Sequence, residues 1–297
     1  MNTILVLGFI LGILSALFFA FYMVPQKIVK IDNTSFLWTM GLGVLVTSLI
    51  PYAIVGFPTA SNWWQRGAGI LCGVVWGLGT LAFAAGINRI GLALATPIKN
   101  TTGVLGTLVG FIFFHEWHTT NPWLGIGGSV LIVAAAIIIG LAGDKSSPRQ
   151  HTLTGIACSL VAALCYASYL YPLKRVVQVV GYWEFTPWMA VGILLTATVA
   201  VLLRPGGFRA FIQYQPRVYG LALLGGVAWA IALFCLAASM VMVDLSVAWS
   251  LAQLNTIPAV FLGALLFREI DFHANKKVIS LGLLAATFGT ILLGLAK

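Results

Sequence analysis

Charge is scarce in this 297-residue chain, and acidic charge is the scarcest. Asp and Glu number 7 against 16 Lys and Arg, so charged residues make up only 8% of the chain, whereas an average soluble domain has about 25%. Hydrophobic residues make up 60%, and the mean hydropathy is +1.02. So few charges could not cover a water-exposed surface, but lipid solvates apolar side chains. The composition excludes a soluble fold and predicts an integral membrane protein.

Motifs of cofactor, metal and nucleic-acid sites are also missing. The sequence has no phosphate loop, no dinucleotide fingerprint and no zinc-ligand spacing among its four cysteines. In His115-Glu116-Trp117-His118 the histidines are three residues apart, not the four of a zinc protease helix. Basic residues lie in short gaps without the interleaved aromatics of a nucleic-acid surface. We expect no cofactor, no metal, no nucleic-acid partner and no enzymatic activity.

What the chain does have is apolar runs of membrane-spanning length, which need about 20 residues each. Ten such spans are predicted near residues 3–24, 35–56, 67–87, 92–114, 121–142, 153–173, 186–203, 218–241, 245–267 and 277–296. The main interruptions lie at 144–151, 180–184 and 204–217. The predicted fold class is therefore all-α integral membrane.

The second half of the sequence repeats the first. A shift of 147 residues pairs Tyr22 with Tyr169 and Lys27 with Lys174, and a shift of 153 makes further pairs: Gly73 with Gly226, Trp76 with Trp229, Phe114 with Phe267 and Glu116 with Glu269. Residues 1–143 and 153–297 are predicted as two five-helix repeats joined by a linker at 144–152. Because five is odd, the second repeat enters the membrane from the opposite side, as an inverted repeat.

The distribution of basic residues predicts the orientation. Gaps that follow odd-numbered spans hold 11 Lys and Arg, and the other side holds four. Since basic residues concentrate on the cytoplasmic side, we expect both termini outside an inner, or plasma, membrane.

Three stretches carry a family resemblance. The first resembles the start of the bacterial L-rhamnose-proton symporter and consists of Ser15-Ala16, Phe19, Pro25, Lys27, Lys30, Trp38, Gly41 and Pro51. The second, from Gly73 through Trp76 to Gly79 and then Ile90-Gly91, resembles that symporter and the bacterial glucose/ribose porters. The third is similar to the glucose porters and consists of Thr96-Pro97-Ile98, Gly103 and Phe114-His115-Glu116-Trp117.

All three stretches are similar to the drug/metabolite transporter superfamily. The resemblance implies a ten-helix secondary carrier with a central cavity between the repeats, and a sugar or similar small polar metabolite as cargo. Resemblance to the rhamnose symporter also implies protons as a second partner. Apart from membrane lipid, no other partner is implied, and the chain is expected to act as a monomer or homodimer.

Polar groups within spans mark the candidate substrate site, because they are costly in lipid unless they line a cavity or find partners. Corresponding spans of the two repeats carry them beside a proline: Lys99, Asn100 and Thr101 in span 4, and Gln253 and Asn255 in span 9. Discontinuous helices at matched positions are typical of a midplane site, and amide groups match vicinal hydroxyls. The alternative is hydrogen bonding that only holds the bundle together.

Aromatic residues matched across the repeats extend the candidate site. Trp76 and Trp229 could offer flat faces to a sugar ring, and Tyr22 and Tyr169 could offer hydroxyls. The alternatives are packing or contact with the membrane interface. Lys99 lies about 12 Å inside its span at 1.5 Å per residue, so we expect compensation by freed helix carbonyls, cavity water or negative charge on the cargo.

The remaining candidates lie at helix ends or at helix contacts. All seven acids lie at or beyond the predicted span ends, so the coupling or gate candidates are the pairs His115 with Glu116 and Arg268 with Glu269. Small residues spaced four apart let helices approach closely, which assigns a packing role to Gly69, Gly73, Gly77 and Gly226.

The function predicted from these features is a secondary carrier for a monosaccharide that works by alternating access, with proton coupling left open. The alternative within transport is a carrier of an anionic or zwitterionic metabolite such as a sugar acid, an amino acid or a drug-like solute. A non-transporting sensor or scaffold is disfavoured, because the spans leave no room for a soluble domain.

Overall fold

The computed structural model describes residues 3–29, 31–56, 61–140, 149–267 and 274–296, and all regular elements in these ranges are helical. The α-helices are α1 (Thr3–Phe21), α2 (Val24–Val29), α3 (Asn33–Ile54), α4 (Trp63–Lys99), α5 (Thr102–Phe114), α6 (Pro122–Gly140), α7 (Arg149–Ser168), α8 (Leu170–Leu203), α9 (Gly207–Phe211), α10 (Pro216–Met242), α11 (Leu245–Ala252), α12 (Thr256–Phe267) and α13 (Lys276–Leu295). Helices satisfy their backbone groups internally, as lipid requires.

Seven helical runs within the described ranges are long and apolar enough to cross a bilayer. They are Thr3–Val29, Asn33–Ile54, Trp63–Leu92, Thr152–Leu203, Pro216–Met242, Leu245–Phe267 and Lys276–Leu293. Large apolar side chains point outward from these runs, for example Leu164 at 62% and Phe288 at 60% exposure. An apolar exterior of this kind suits lipid rather than water. The protein is an integral membrane protein, as its composition predicts.

Two of the long helices contain a glycine that bends the chain between predicted spans. Gly91 in α4 has φ 79° and ψ 163°, and Gly181 in α8 has φ 78° and ψ 162°. Only glycine adopts this backbone conformation without strain. Each glycine therefore separates two helical segments. Gly91 lies at the predicted boundary between spans 3 and 4, and Gly181 lies in the predicted gap at 180–184. The short helix α9 forms inside the gap at 204–217.

Close helix contacts occur where glycines remove side chains. An added Cβ on Gly73 of α4 would overlap the carbonyl oxygen of Met189 in α8, and one on Gly226 of α10 would overlap that of Met40 in α3. Gly69 and Gly77, a turn to either side of Gly73, also face α8. The predicted packing glycines thus lie at two helix contacts, α4 with α8 and α10 with α3.

We predict that Gly73→Ala destabilises the protein, because its Cβ would collide with backbone that cannot rotate away. Overpacking of this kind costs about 1–3 kcal/mol, which would lower the midpoint of thermal unfolding in detergent. Gly67→Ala on the same helix is the control, since no atom lies within 4 Å of its added Cβ. Equal unfolding midpoints for the two variants would contradict the proposed close contact.

Candidate functional site

Two helices are broken near the middle of the bundle. One break separates α4, which ends at Lys99, from α5, which begins at Thr102; the other is a 3-10 turn at Gln253–Asn255 between α11 and α12. The 8 residues of α11 and the 12 of α12 place the second break about 12 Å from one helix end and about 18 Å from the other. Both breaks fall on the polar segments that the sequence marked.

Each break supplies hydrogen bonds to the other. The buried side-chain NH₂ group of Asn100 has two hydrogens to share among three acceptors: the carbonyl oxygen of Gln253 at 3.0 Å, Oδ1 of Asn255 at 2.5 Å and the hydroxyl of Thr256. In return, the Trp249 indole donates to the backbone carbonyl of Thr102 at 3.0 Å. Each break thus supplies hydrogen-bond partners to groups of the other.

A small cavity of about 30 Å³, with room for one or two water molecules, lies beside the two breaks in this conformation. Its aromatic lining residues are Phe19, Tyr22, Trp76, Tyr166, Tyr169, Trp229 and Trp249. Its other lining residues are polar: Lys99, Thr102, Gln253 and Asn255. An apolar lining with a few convergent polar groups is typical of small-molecule sites, but a sugar ring would need this cavity to widen.

Seven of the nine predicted substrate residues line this cavity: Tyr22, Trp76, Lys99, Tyr169, Trp229, Gln253 and Asn255. Asn100 and Thr101 are not among the lining residues, and the Asn100 amide is used between the breaks. Sequence reasoning missed four lining residues: Phe19, Thr102, Tyr166 and Trp249. The repeat contains a signal for three of them, since Phe19 matches Tyr166 at a shift of 147 and Thr102 matches Asn255 at a shift of 153.

The matched tryptophans contact each other directly. The ring centroids of Trp76 and Trp229 are 4.4 Å apart, and Tyr166 stacks on Trp76 at 6.0 Å and an interplanar angle of 25°. A sugar ring needs van der Waals separation from both faces, so none fits between the two indoles in this conformation. If these faces bind a ring, they do so side by side or after the indoles separate.

Lys99 is buried against aromatic faces. It is 5% exposed, and its ammonium lies 5.4 Å from the centroid of Phe83 and 5.8 Å from that of Tyr166. Cations are attracted to the negative faces of aromatic rings at such distances. No ion pair within the described ranges includes Lys99. Aromatic faces are a form of compensation that the sequence reasoning did not foresee.

At the end of α5, Glu116 holds several elements together. Its buried carboxylate forms an ion pair with Lys174 of α8, and it accepts the backbone N–H groups of Leu245 at 2.8 Å and Ser246 at 2.9 Å. Those N–H groups are the first of α11, where the helix dipole favours a negative charge. The ammonium of Lys174 also lies 4.5 Å from the Phe114 ring centroid. The predicted gate residue thus links α5, α8 and α11.

The neighbouring His115 directs Glu116 inward. His115 ends α5 in the left-handed conformation, with φ 54°, and its own side chain is exposed. Gly110 leaves the space that the Glu116 carboxylate occupies, since an added Cβ there would meet it. His115 itself lies outside this buried cluster.

The repeat mates of this cluster lie at the other end of the bundle. The Lys27 ammonium is 4.7 Å from the ring centroid of Phe267, which matches the placement of Lys174 on Phe114. Arg268 and Glu269, the other predicted gate pair, lie outside the described residues.

Asp32 joins three segments at this second end of the bundle. It caps α3 by accepting the N–H groups of Thr34 and Ser35, it forms an ion pair with Arg204 after α8, and it accepts the Tyr214 hydroxyl at 2.9 Å. Burial raises the pKa of this carboxyl, but the hydrogen bonds from the cap residues and Arg204 outweigh it and hold the pKa well below its usual range. Asp32 is therefore ionised and has a structural role, because it connects three segments of the chain.

An apolar helical bundle with a polar and aromatic cavity at two mid-depth breaks has the form of a membrane transporter. The chain belongs to the sugar transport protein family, whose model matches residues 10–296.

Curated relatives extend over most of the chain. A "Probable glucose uptake protein" of Bacillus cereus is 27% identical over 281 residues, which cover 91% of this chain and 92% of the relative. A "Putative sugar uptake protein" of Lactiplantibacillus plantarum is 25% identical over 268 residues, which cover 87% and 88%. A solved crystal structure with 13% identity covers 97% of each chain at a TM-score of 0.73, which shows the fold alone.

We predict that Asn100→Ala lowers the stability of the protein, because buried acceptors between the breaks would lose the two hydrogens of their shared donor. Each unsatisfied buried group costs about 1–3 kcal/mol, so the thermal unfolding midpoint should fall. Thr101→Ala is the control, since among the described residues its hydroxyl donates to the carbonyl oxygen of Ile98 in its own turn. An unchanged midpoint for Asn100→Ala would contradict a bridging role.

Proposed function

We propose that this protein carries a neutral monosaccharide across the membrane by alternating access. The observation that carries the proposal is the cavity at the two breaks, whose lining combines aromatic rings with amide, hydroxyl and ammonium groups. A sugar has the matching chemistry, since its C–H faces are apolar and its rim is hydroxylated. The family and the names of the relatives support the same cargo.

The proposed architecture has ten crossings in two inverted repeats, 1–143 and 153–297, with both termini outside. The broken helices support it, because each repeat has an 8-residue segment before its break, 92–99 in one and α11 in the other, followed by 13 residues in α5 or 12 in α12. A two-fold relation in the membrane plane would place both breaks at the same depth. Alternating access then amounts to one repeat rocking against the other.

Lys99 supports a second candidate, a carrier of an anionic metabolite. A buried ammonium that forms no ion pair within the described ranges could receive its counter-charge from a carboxylate on the cargo. We favour the neutral sugar, because the Phe83 and Tyr166 faces already stabilise the cation and the ammonium can donate hydrogen bonds to hydroxyls.

We predict that proteoliposomes containing the protein take up neutral sugars in preference to sugar acids. Lys99→Gln should keep this preference with modestly weaker affinity, because it retains a hydrogen-bond donor and loses only the charge. The measurement is uptake of a radiolabelled panel of sugars and sugar acids. A wild type that prefers acids, together with a variant that loses all transport, would establish the anion carrier instead.

The same vesicles test proton coupling. An imposed proton gradient should drive accumulation above equilibrium if protons move with the sugar. Uptake that stops at equal concentrations under the gradient would establish facilitated diffusion.

Glu116 and Lys174 form the proposed gate on the face where α11 begins. Their ion pair closes that face in this conformation, because it joins α5 and α8 to the first turn of α11. Opening requires the three elements to separate and the carboxylate to be hydrated. On the opposite face, Lys27 on Phe267 occupies the corresponding position.

We predict that Lys174→Met opens the cavity to the face where α11 begins. Removing one partner of a buried ion pair costs about 3–5 kcal/mol. The free energy of the conformation closed at this face should therefore rise relative to the open one. The measurement is labelling of Phe19→Cys, in a variant without other cysteines, by an impermeant thiol reagent applied to either face. Lys27→Met is the matched control and should increase labelling only from the other face. Unchanged labelling in both variants would remove these residues from the gate.

A further inference from the structure

Four polar positions at the two breaks are related by the internal repeat. A shift of 153 residues makes Gln253 the mate of Asn100 and Asn255 the mate of Thr102. The contact between Asn100 and Asn255 therefore has a counterpart between Gln253 and Thr102. The first contact is closed by a hydrogen bond of 2.5 Å. The second is open, because Thr102 Oγ1 and Gln253 Oε1 have no hydrogen-bond partner among the described residues.

The two side chains that carry these open atoms are buried and line the same cavity. Thr102 is 1% exposed and Gln253 is 3% exposed, and both line the central cavity. Most buried polar side-chain atoms in native proteins have a partner. Two unpaired atoms that share a cavity therefore indicate a ligand that supplies the missing hydrogen bonds.

Neighbouring contacts hold the Gln253 side chain and the Thr102 backbone in place. The Gln253 side-chain NH₂ group donates to the carbonyl oxygen of Trp249 at 2.9 Å, which determines which end of the amide is the oxygen. The Gln253 stem packs on Gly103, where an added Cβ would lie 2.7 Å from its Cγ. The Trp249 indole in turn bonds the backbone of Thr102. The two open atoms are thus presented by adjacent segments that these contacts hold in place.

We propose that Thr102 and Gln253 are the specificity-determining pair of the cavity and bind two adjacent hydroxyls of the sugar. Gln253 Oε1 can only accept, so it takes the hydrogen of one hydroxyl, whereas Thr102 Oγ1 can donate or accept and bonds the next. The substrate class is a neutral polyhydroxylated ring with a vicinal diol. This inference rests on the proposed sugar transport.

The test compares Thr102→Val with Thr107→Val, which make the same change at two buried threonines. The Thr107 hydroxyl bonds those of Ser129 at 2.7 Å and Ser250 at 3.0 Å, and Thr107 does not line the cavity. Uptake of a hexose and of its series of monodeoxy analogues is measured for wild type and both variants, together with the unfolding midpoint.

We expect the variants to separate affinity from stability. Thr102→Val should raise the KM for the hexose by about 10- to 100-fold, the size of one lost hydrogen bond in a buried site, and should leave the unfolding midpoint unchanged. Wild type should transport one particular deoxy analogue less well than the hexose, because that analogue lacks the hydroxyl that binds Thr102. Thr102→Val should reduce this difference, because the variant no longer has a group that binds that hydroxyl. Thr107→Val should leave KM unchanged and lower the midpoint.

Gln253→Met is an independent test, because it keeps the length of the side chain and removes the acceptor Oε1. We expect it to lose discrimination at the hydroxyl next to the one identified by Thr102→Val. A wild type that transports sugar, with deoxy discrimination intact in both cavity variants, overturns this inference alone. A wild type that transports no sugar overturns the proposed function and this inference with it.

Discussion

Hydrogen-bond satisfaction inside the membrane is the constraint on which the rest of this structure depends. A helix that breaks at mid-depth exposes backbone groups to surroundings without water, and each orphaned group is costly. Here the two breaks satisfy one another through the Asn100 amide and the Trp249 indole. Each break is tolerable because the other lies opposite it. Two helices of different repeats are thereby held together at the point where a substrate would bind.

The same pairing explains where the polar lining of the cavity lies. Lys99, Thr102, Gln253 and Asn255 all belong to the breaks, and the other lining residues are aromatic. Residues that correspond in the two repeats, such as Trp76 and Trp229, then contact each other, as expected near the pseudo-two-fold axis that the sequence predicts. Lys99 departs from this relation, because its mate at a shift of 153 is Ala252. An asymmetric cargo can be held in one orientation only by such departures.

The helical membrane fold and much of the candidate site could be predicted from the sequence, because lipid leaves few alternatives for long apolar runs. Polar segments inside spans also located both breaks, since such residues are too costly to occur there by chance. The kinks at Gly91 and Gly181 fall at predicted interruptions between spans, but their backbone angles were not predicted, because hydropathy carries no information on them. The aromatic partners of Lys99 were missed because Phe83 and Tyr166 lie on other helices, at distances along the chain that no local pattern reveals.

Burial of the acids was also not predicted from the sequence, which placed all seven at or beyond span ends. Glu116 and Glu184 are buried, and Asp144, Glu269 and Asp271 lie outside the described residues. A carboxylate next to a predicted end would ordinarily be hydrated, yet Glu116 is 3% exposed. It can be buried because one ammonium and two N–H groups of a helix start surround it. These donors come from α8 and α11, so the carboxylate is satisfied only while the three elements meet. A charge that is stable in one packing and unsatisfied in another favours two discrete conformations over a continuous range of them. A carrier needs two such conformations if its cavity is to open to one face at a time.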